Sequence, residues 1–106
     1  MKLTGVSLMR DALSMRDAGA VAALTFNDAG AASTHAGMTV PVARGLFNTL
    51  MAPHGARPDV IVAELGDGIL GEYGVQDILR ARDLTDLGAA WVMAAPDPVG
   101  CGGARE

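Results

Sequence analysis

The sequence predicts an α/β fold built on a parallel sheet, a single partial domain over residues 1–106, and three observations carry that expectation. Val60-Ile61-Val62-Ala63-Glu64-Leu65 is apolar on both alternating faces up to its acid, the pattern of a strand buried on both sides of a parallel sheet. A second run, Ala89-Ala90-Trp91-Val92-Met93-Ala94-Ala95, is stopped by Pro96-Asp97-Pro98. Between them Val75, Ile78, Leu79 and Arg82 fall at helical spacing and predict a crossover helix over 74–84. Strand, helix and strand then form a right-handed βαβ unit, with 59–65 the most buried strand and parallel to 89–95.

The remaining elements follow in order. Residues 7–18 are helical by pattern; Met9-Arg10-Asp11-Ala12 recurs as Met15-Arg16-Asp17-Ala18, but a six-residue spacing does not match the helical period and defines no repeat. Val21 to Phe26 reads as a short strand or a helical turn, and the small, polar residues 30–37 read as a loop. Thr39 followed by Val40-Pro41 resembles a helix N-cap with Pro in the first turn. Val42, Leu46, Phe47 and Leu50 continue that helix as an apolar face, which ends near Ala52-Pro53-His54-Gly55.

Half the residues are apolar and only 4% aromatic, so the core must be built from Ala, Val, Leu, Ile and Met. A net charge of −4 with eight scattered Lys and Arg argues against nucleic acid as a partner, since that binding rests on neutralising phosphates. The single cysteine, Cys101, excludes an internal disulfide and any Cys/His metal cluster, and fits a reducing cytoplasm. No apolar run approaches the roughly 20 residues that span a bilayer, so neither export nor a membrane is expected. The expected partners are a small-molecule substrate and, through a homodimer, a second copy of the chain.

In an open parallel sheet, ligands bind beyond the carboxyl ends of the strands. Glu64 ends an apolar strand, where an acid is costly without a partner, and Gly66, Asp67 and Gly68 follow in a closely approachable loop. A carboxylate there can hold hydrated Mg²⁺, which takes oxygen ligands and keeps several waters. Asp67 reads equally as ligand or turn-former, and Glu72 reads as solvated. Asp97-Pro98-Val99-Gly100 follows the next strand in the same relation, so Asp97 and Gly100 either line that crevice or only turn the chain. Asn27, Asp28, Ser33 and Thr34 follow the 21–26 segment and can contact substrate or serve as loop and cap residues. His35 reads as a surface histidine, and Arg10, Asp11, Arg16 and Asp17 as the solvated face of the first helix, with Arg10 placed to meet a phosphate.

Taken together, Lys2-Leu3-Thr4-Gly5, the Arg-Asp helix, Asn27-Asp28-Ala29-Gly30, Ala63-Glu64-Leu65-Gly66-Asp67-Gly68 and Asp97-Pro98-Val99-Gly100 resemble the middle of a dethiobiotin-synthetase-like P-loop NTPase domain. The resemblance spans most of the chain. It implies a three-layer parallel-sheet fold and ATP- and Mg²⁺-dependent phosphoryl transfer or ligase chemistry on a small molecule. It also implies Lys2 as the catalytic lysine facing phosphates or substrate, Glu64 as the Mg²⁺ ligand, and Thr4 and Gly5 as shapers of the cofactor loop. The family's G-x-x-x-x-G-K-[ST] phosphate loop occurs nowhere in these residues. The resemblance therefore implies a fragment, truncated before Met1, whose ATP binding is weak or absent. The alternative expectation is a noncatalytic α/β binding or assembly module.

Overall fold

The computed structural model describes residues 1–103 as a mixed α/β chain with a small parallel sheet. Strand β1 (Lys2–Thr4) pairs with β2 (Glu64–Leu65), with Lys2 opposite Glu64 and Thr4 opposite Leu65 across an irregular register. On the other side of β1, Lys2 bridges Thr25 in the parallel sense, and its N–H donates to the Leu24 carbonyl at 2.9 Å. Three parallel segments thus lie side by side with β1 in the middle. The ambiguous 21–26 stretch resolves as an extended segment with one bridge. It closes in a 3₁₀ turn, Phe26–Ala29, where the Thr25 hydroxyl accepts from the Asn27 N–H and the Asp28 carboxylate accepts from the Thr25 N–H.

Five helices surround these segments among the described residues: α1 (Met9–Asp17), α2 (Thr39–Met51), α3 (Val75–Arg80), α4 (Arg82–Thr85) and α5 (Pro98–Gly103). Helix α2 buries Ala43, Leu46 and Leu50, one stripe at helical spacing, while Val42 and Phe47 pack at its margin. Thr39 does not cap this helix. It is the first helical residue, fully buried, and its hydroxyl donates to the Gly74 carbonyl at 2.9 Å, tying α2 to the start of α3. The helix expected over 74–84 breaks at Ala81, whose ψ of 93° is extended, so that Val75, Ile78 and Leu84 can all turn inward from two short helices. Arg44 then joins α2 to α4 through two hydrogen bonds to Asp83, at 2.8 and 3.0 Å. Met1, Leu3, Ala43, Leu46, Leu50, Ile78 and Leu84 form the core, against which Ile61 and Leu65 pack.

The strand expected over 59–65 is corrected in extent, burial and partner. Only Glu64 and Leu65 are strand, and Val60 and Val62 are 75% and 76% exposed. Their face of the strand meets little, because α1, the nearest element on that side, buries none of its residues. The partner of β2 is β1, so α1 and α2 make the connection between paired strands, and the helix over 74–84 does not. Residues 89–95 are not a strand: they are exposed throughout and pair with nothing among the described residues. None of the helices is long and apolar enough to cross a membrane among the described residues.

Candidate functional site

Alternation along β1 sends Leu3 into the core and Lys2 to the opposite face, toward α1. There the Lys2 ammonium lies 3.5 Å from Asp11 Oδ2 and 3.7 Å from Glu64 Oε1. The lysine side chain is only 10% exposed, against 24% for Asp11 and 52% for Glu64. Lys2 is therefore an internal residue whose charge is matched by these two carboxylates. The Met1 amino group also feels the Glu64 charge, so two carboxylates face two ammonium groups and the cluster is close to neutral. Gly66 is required beside this group, since a Cβ there would lie 2.9 Å from the Thr4 carbonyl oxygen and 3.2 Å from Lys2 Cε.

Three loops beyond the strand ends are braced together by hydrogen bonds. The Thr4 hydroxyl donates to the Gly66 carbonyl at 3.0 Å, and the Val6 N–H donates to Asp67 Oδ2 at 2.7 Å. The Gly5 N–H donates to Thr34 Oγ1 at 2.8 Å, and that hydroxyl donates to the Tyr73 carbonyl at 2.8 Å. Thr4 and Thr34 are buried and spend their hydrogen atoms inside the protein, so they position the loops. Asp67, at φ 69°, does the same while holding a left-handed conformation that non-glycine residues seldom adopt. Ser7 Oγ is buried among the described residues without a hydrogen-bond partner.

The expected residues divide accordingly. Lys2, Thr4, Gly5, Thr34, Glu64, Gly66 and Asp67 are joined by the contacts above, and Gly68 continues the same loop at φ 85°. Asn27, Asp28 and Ser33 are exposed on the adjoining loops; the Asn27 amide donates to the Ala31 carbonyl at 2.8 Å, and Ser33 bridges Val6. Asp97 accepts from the Gly100 N–H at 2.8 Å and so shapes the start of α5, and no hydrogen bond or ion pair among the described residues joins either to the Lys2 group. Asp11 is the residue that sequence reasoning missed. Its signal was its place three residues past Leu8, where a carboxylate can accept from the first free N–H of the helix, here at 2.7 Å.

That backbone hydrogen bond, helped by the Lys2 charge and opposed by desolvation, holds the Asp11 carboxyl below the ordinary aspartate range. A depressed folded-state value stabilises the fold above the unfolded value, about pH 3.9, and the contribution is lost as the pH falls through the folded value. Asp83 is depressed in the same sense by Arg44. Thermal melting across the acid range is therefore expected to show Asp11→Asn flattening the loss of stability below about pH 4, with Asp83→Asn flattening the remainder. An acid limb unchanged by Asp11→Asn would refute the clamp.

The fold and site define a mixed α/β chain in which a lysine–carboxylate cluster lies on one face of two short parallel strands. No known family model, curated protein or solved structure matches it.

Proposed function

We propose that these residues form part of a three-layer P-loop NTPase-like domain of the dethiobiotin-synthetase-like kind, acting in ATP- and Mg²⁺-dependent phosphoryl transfer to a small molecule. The observation that carries the proposal is the Lys2 ammonium held between Asp11 and Glu64 where β1 and β2 open into glycine-rich loops. Mg²⁺ fits this donor set. Among the described residues no three His, Cys, Asp or Glu converge, but Mg²⁺ needs only one or two protein carboxylates beside water and phosphate oxygens. Glu64, half exposed and only loosely paired, is the carboxylate placed for it. Bound there, the ion would neutralise charge on a transferring phosphate.

The chain's own residues supply the rest. Lys2, already paired with Asp11 and Glu64, would meet a phosphate that arrives with its Mg²⁺, and Asp11 keeps the ammonium in place. The braced loops fix the distance between Lys2 and the 66–68 backbone, and Asn27 and Ser33 stand exposed beside them for a polar substrate. A cradle for ATP phosphates does not fit these residues, because they contain no G-x-x-x-x-G-K-[ST] sequence whose backbone N–H groups would converge on the anion. On this reading the nucleotide grip comes from residues other than these 106.

Calorimetry should show weak ATP binding to the 106-residue chain, or none, with Mg²⁺ present. A chain extended through the upstream reading frame should bind ATP in the micromolar range and depend on Mg²⁺. Micromolar ATP affinity for the 106 residues alone would contradict the missing-cradle argument, and an extended chain that ignores ATP would sink the proposal. A second reading, an assembly module, is favoured by the exposure of Val60, Val62 and Val92, and it predicts self-association without nucleotide.

A further inference from the structure

Two parts of the chain lack the partner that their chemistry demands. The first is the outer edge of β2. The Glu64 N–H donates to the Met1 carbonyl at 2.8 Å and the Met1 amino group donates to the Val62 carbonyl, so these residues face β1. Successive residues of a strand in a parallel pair turn their backbone groups to opposite edges. The N–H and C=O groups of Ile61 and Ala63 therefore face outward, and among the described residues they have no hydrogen-bond partner. Beside them opens an apolar cleft of about 490 Å³ lined by Met15, Val21, Leu50, Pro58, Val60 and Val62.

The second is the segment 89–95. It carries no charge, it has no backbone hydrogen bond among the described residues, and Trp91 and Val92 are 61% and 95% exposed. An exposed, uncharged apolar segment and an open sheet edge each invite a partner, and stable proteins cover both. The segment does not line the cleft of its own chain. Its Trp91 indole instead turns back over Gly88, where a Cβ would fall 2.8 Å from Nε1.

We propose that residues 89–95 of one copy add as a strand to the free β2 edge of a second copy, reciprocally, forming a two-fold homodimer. Both halves of the contact are encoded in one chain and present at equal concentration. Residues 89–95 span about 23 Å when extended, enough to lie along the whole 60–65 edge. The segment brings no charge, and the two charged groups that line the cleft keep partners within their own chain, Glu64 with Lys2 and the Met1 amino group with the Val62 carbonyl. Two-fold exchange makes every contact twice, which carries a short segment toward the roughly 1,200 Å² that a stable interface needs. The proposal stands on the edge and the segment and does not depend on phosphate chemistry.

Trp91 is the sole tryptophan, so its emission reads the proposed contact directly. Sedimentation velocity and fluorescence over a dilution series should show dimer with blue-shifted emission at high concentration, and both signals should revert together on dilution. Val62→Asp and Val92→Asp, both at exposed sites outside the core, should each raise the dimer dissociation constant roughly tenfold or more. Mixing the two variants should restore a heterodimer, because one wild-type edge still meets one wild-type segment. Val62→Thr and Val92→Thr repeat the measurement in the same direction if an aspartate variant loses its circular-dichroism signature. A monomer with red-shifted Trp91 at millimolar concentration overturns the proposal. So does a dimer insensitive to all four variants, or a monomer whose Trp91 is already blue-shifted, which would mean that the segment pairs within its own chain.

Discussion

Glu64→Gln is expected to lower Mg²⁺-dependent turnover by roughly a hundredfold or more in any form of the domain that carries a phosphate loop. The fold should survive. The amide is nearly isosteric with the carboxylate, the side chain is half exposed, and the ion pair removed is a loose 3.7 Å contact with Lys2. Partly exposed pairs of that kind contribute little to stability. What disappears is the charge proposed to hold a metal beside Lys2, so a loss in turnover without a loss in melting temperature separates function from folding. Glu72→Gln is the control, since Glu72 is exposed and makes no ion pair among the described residues. Normal turnover by Glu64→Gln with inactivity of Glu72→Gln would move the metal to Glu72 and end the present assignment.

The long helix α2 was legible because it writes its own period, with Leu46 and Leu50 recurring at helical spacing whatever surrounds them, whereas nothing local marked the break at Ala81 in the helix expected over 74–84. The strands were legible only where composition and pairing agree. Val60 to Leu65 states that both faces are apolar, but whether both are covered depends on neighbours that a local pattern does not encode. Here Ile61 and Leu65 find α2 and the core, while Val60 and Val62 face an open cleft. The 89–95 run carries the same pattern with no partner within the described chain. At the site, Glu64 and the glycines stood out because an acid and flexible backbone interrupt an apolar stretch. Asp11 did not, since its role needs Lys2 and α1 on the same side of β1, a fact of parity and packing. Thr34 looked like a substrate contact because a buried threonine bracing two loops and an exposed one binding a ligand are the same in sequence.

Gly5→Ala is expected to destabilise the fold by roughly 2–3 kcal/mol, with the larger part arising from one clash. Gly5 sits at φ 99°, which an L side chain rarely adopts, and a Cβ there would collide with Asp67 Oδ2 and lie 2.9 Å from Asp67 Cγ and 3.2 Å from the Gly66 carbonyl carbon. The carboxylate cannot simply withdraw, because it accepts the Val6 N–H at 2.7 Å and its own backbone is held at φ 69°. Either the bond breaks or the turn between β1 and α1 shifts, and Lys2 and Thr4 shift with it. Asp67→Gly alone should change stability by less than about 1 kcal/mol, because relief of the left-handed backbone offsets the lost, exposed hydrogen bond. In the double variant the obstructing carboxylate is gone and only the φ strain of the introduced alanine remains, so the combined cost should fall below the sum of the single costs by about 1 kcal/mol or more. Urea denaturation of the four proteins measures that coupling. Strict additivity would mean that Asp67 does not restrain Gly5, and the clasp between the two loops would have to be abandoned.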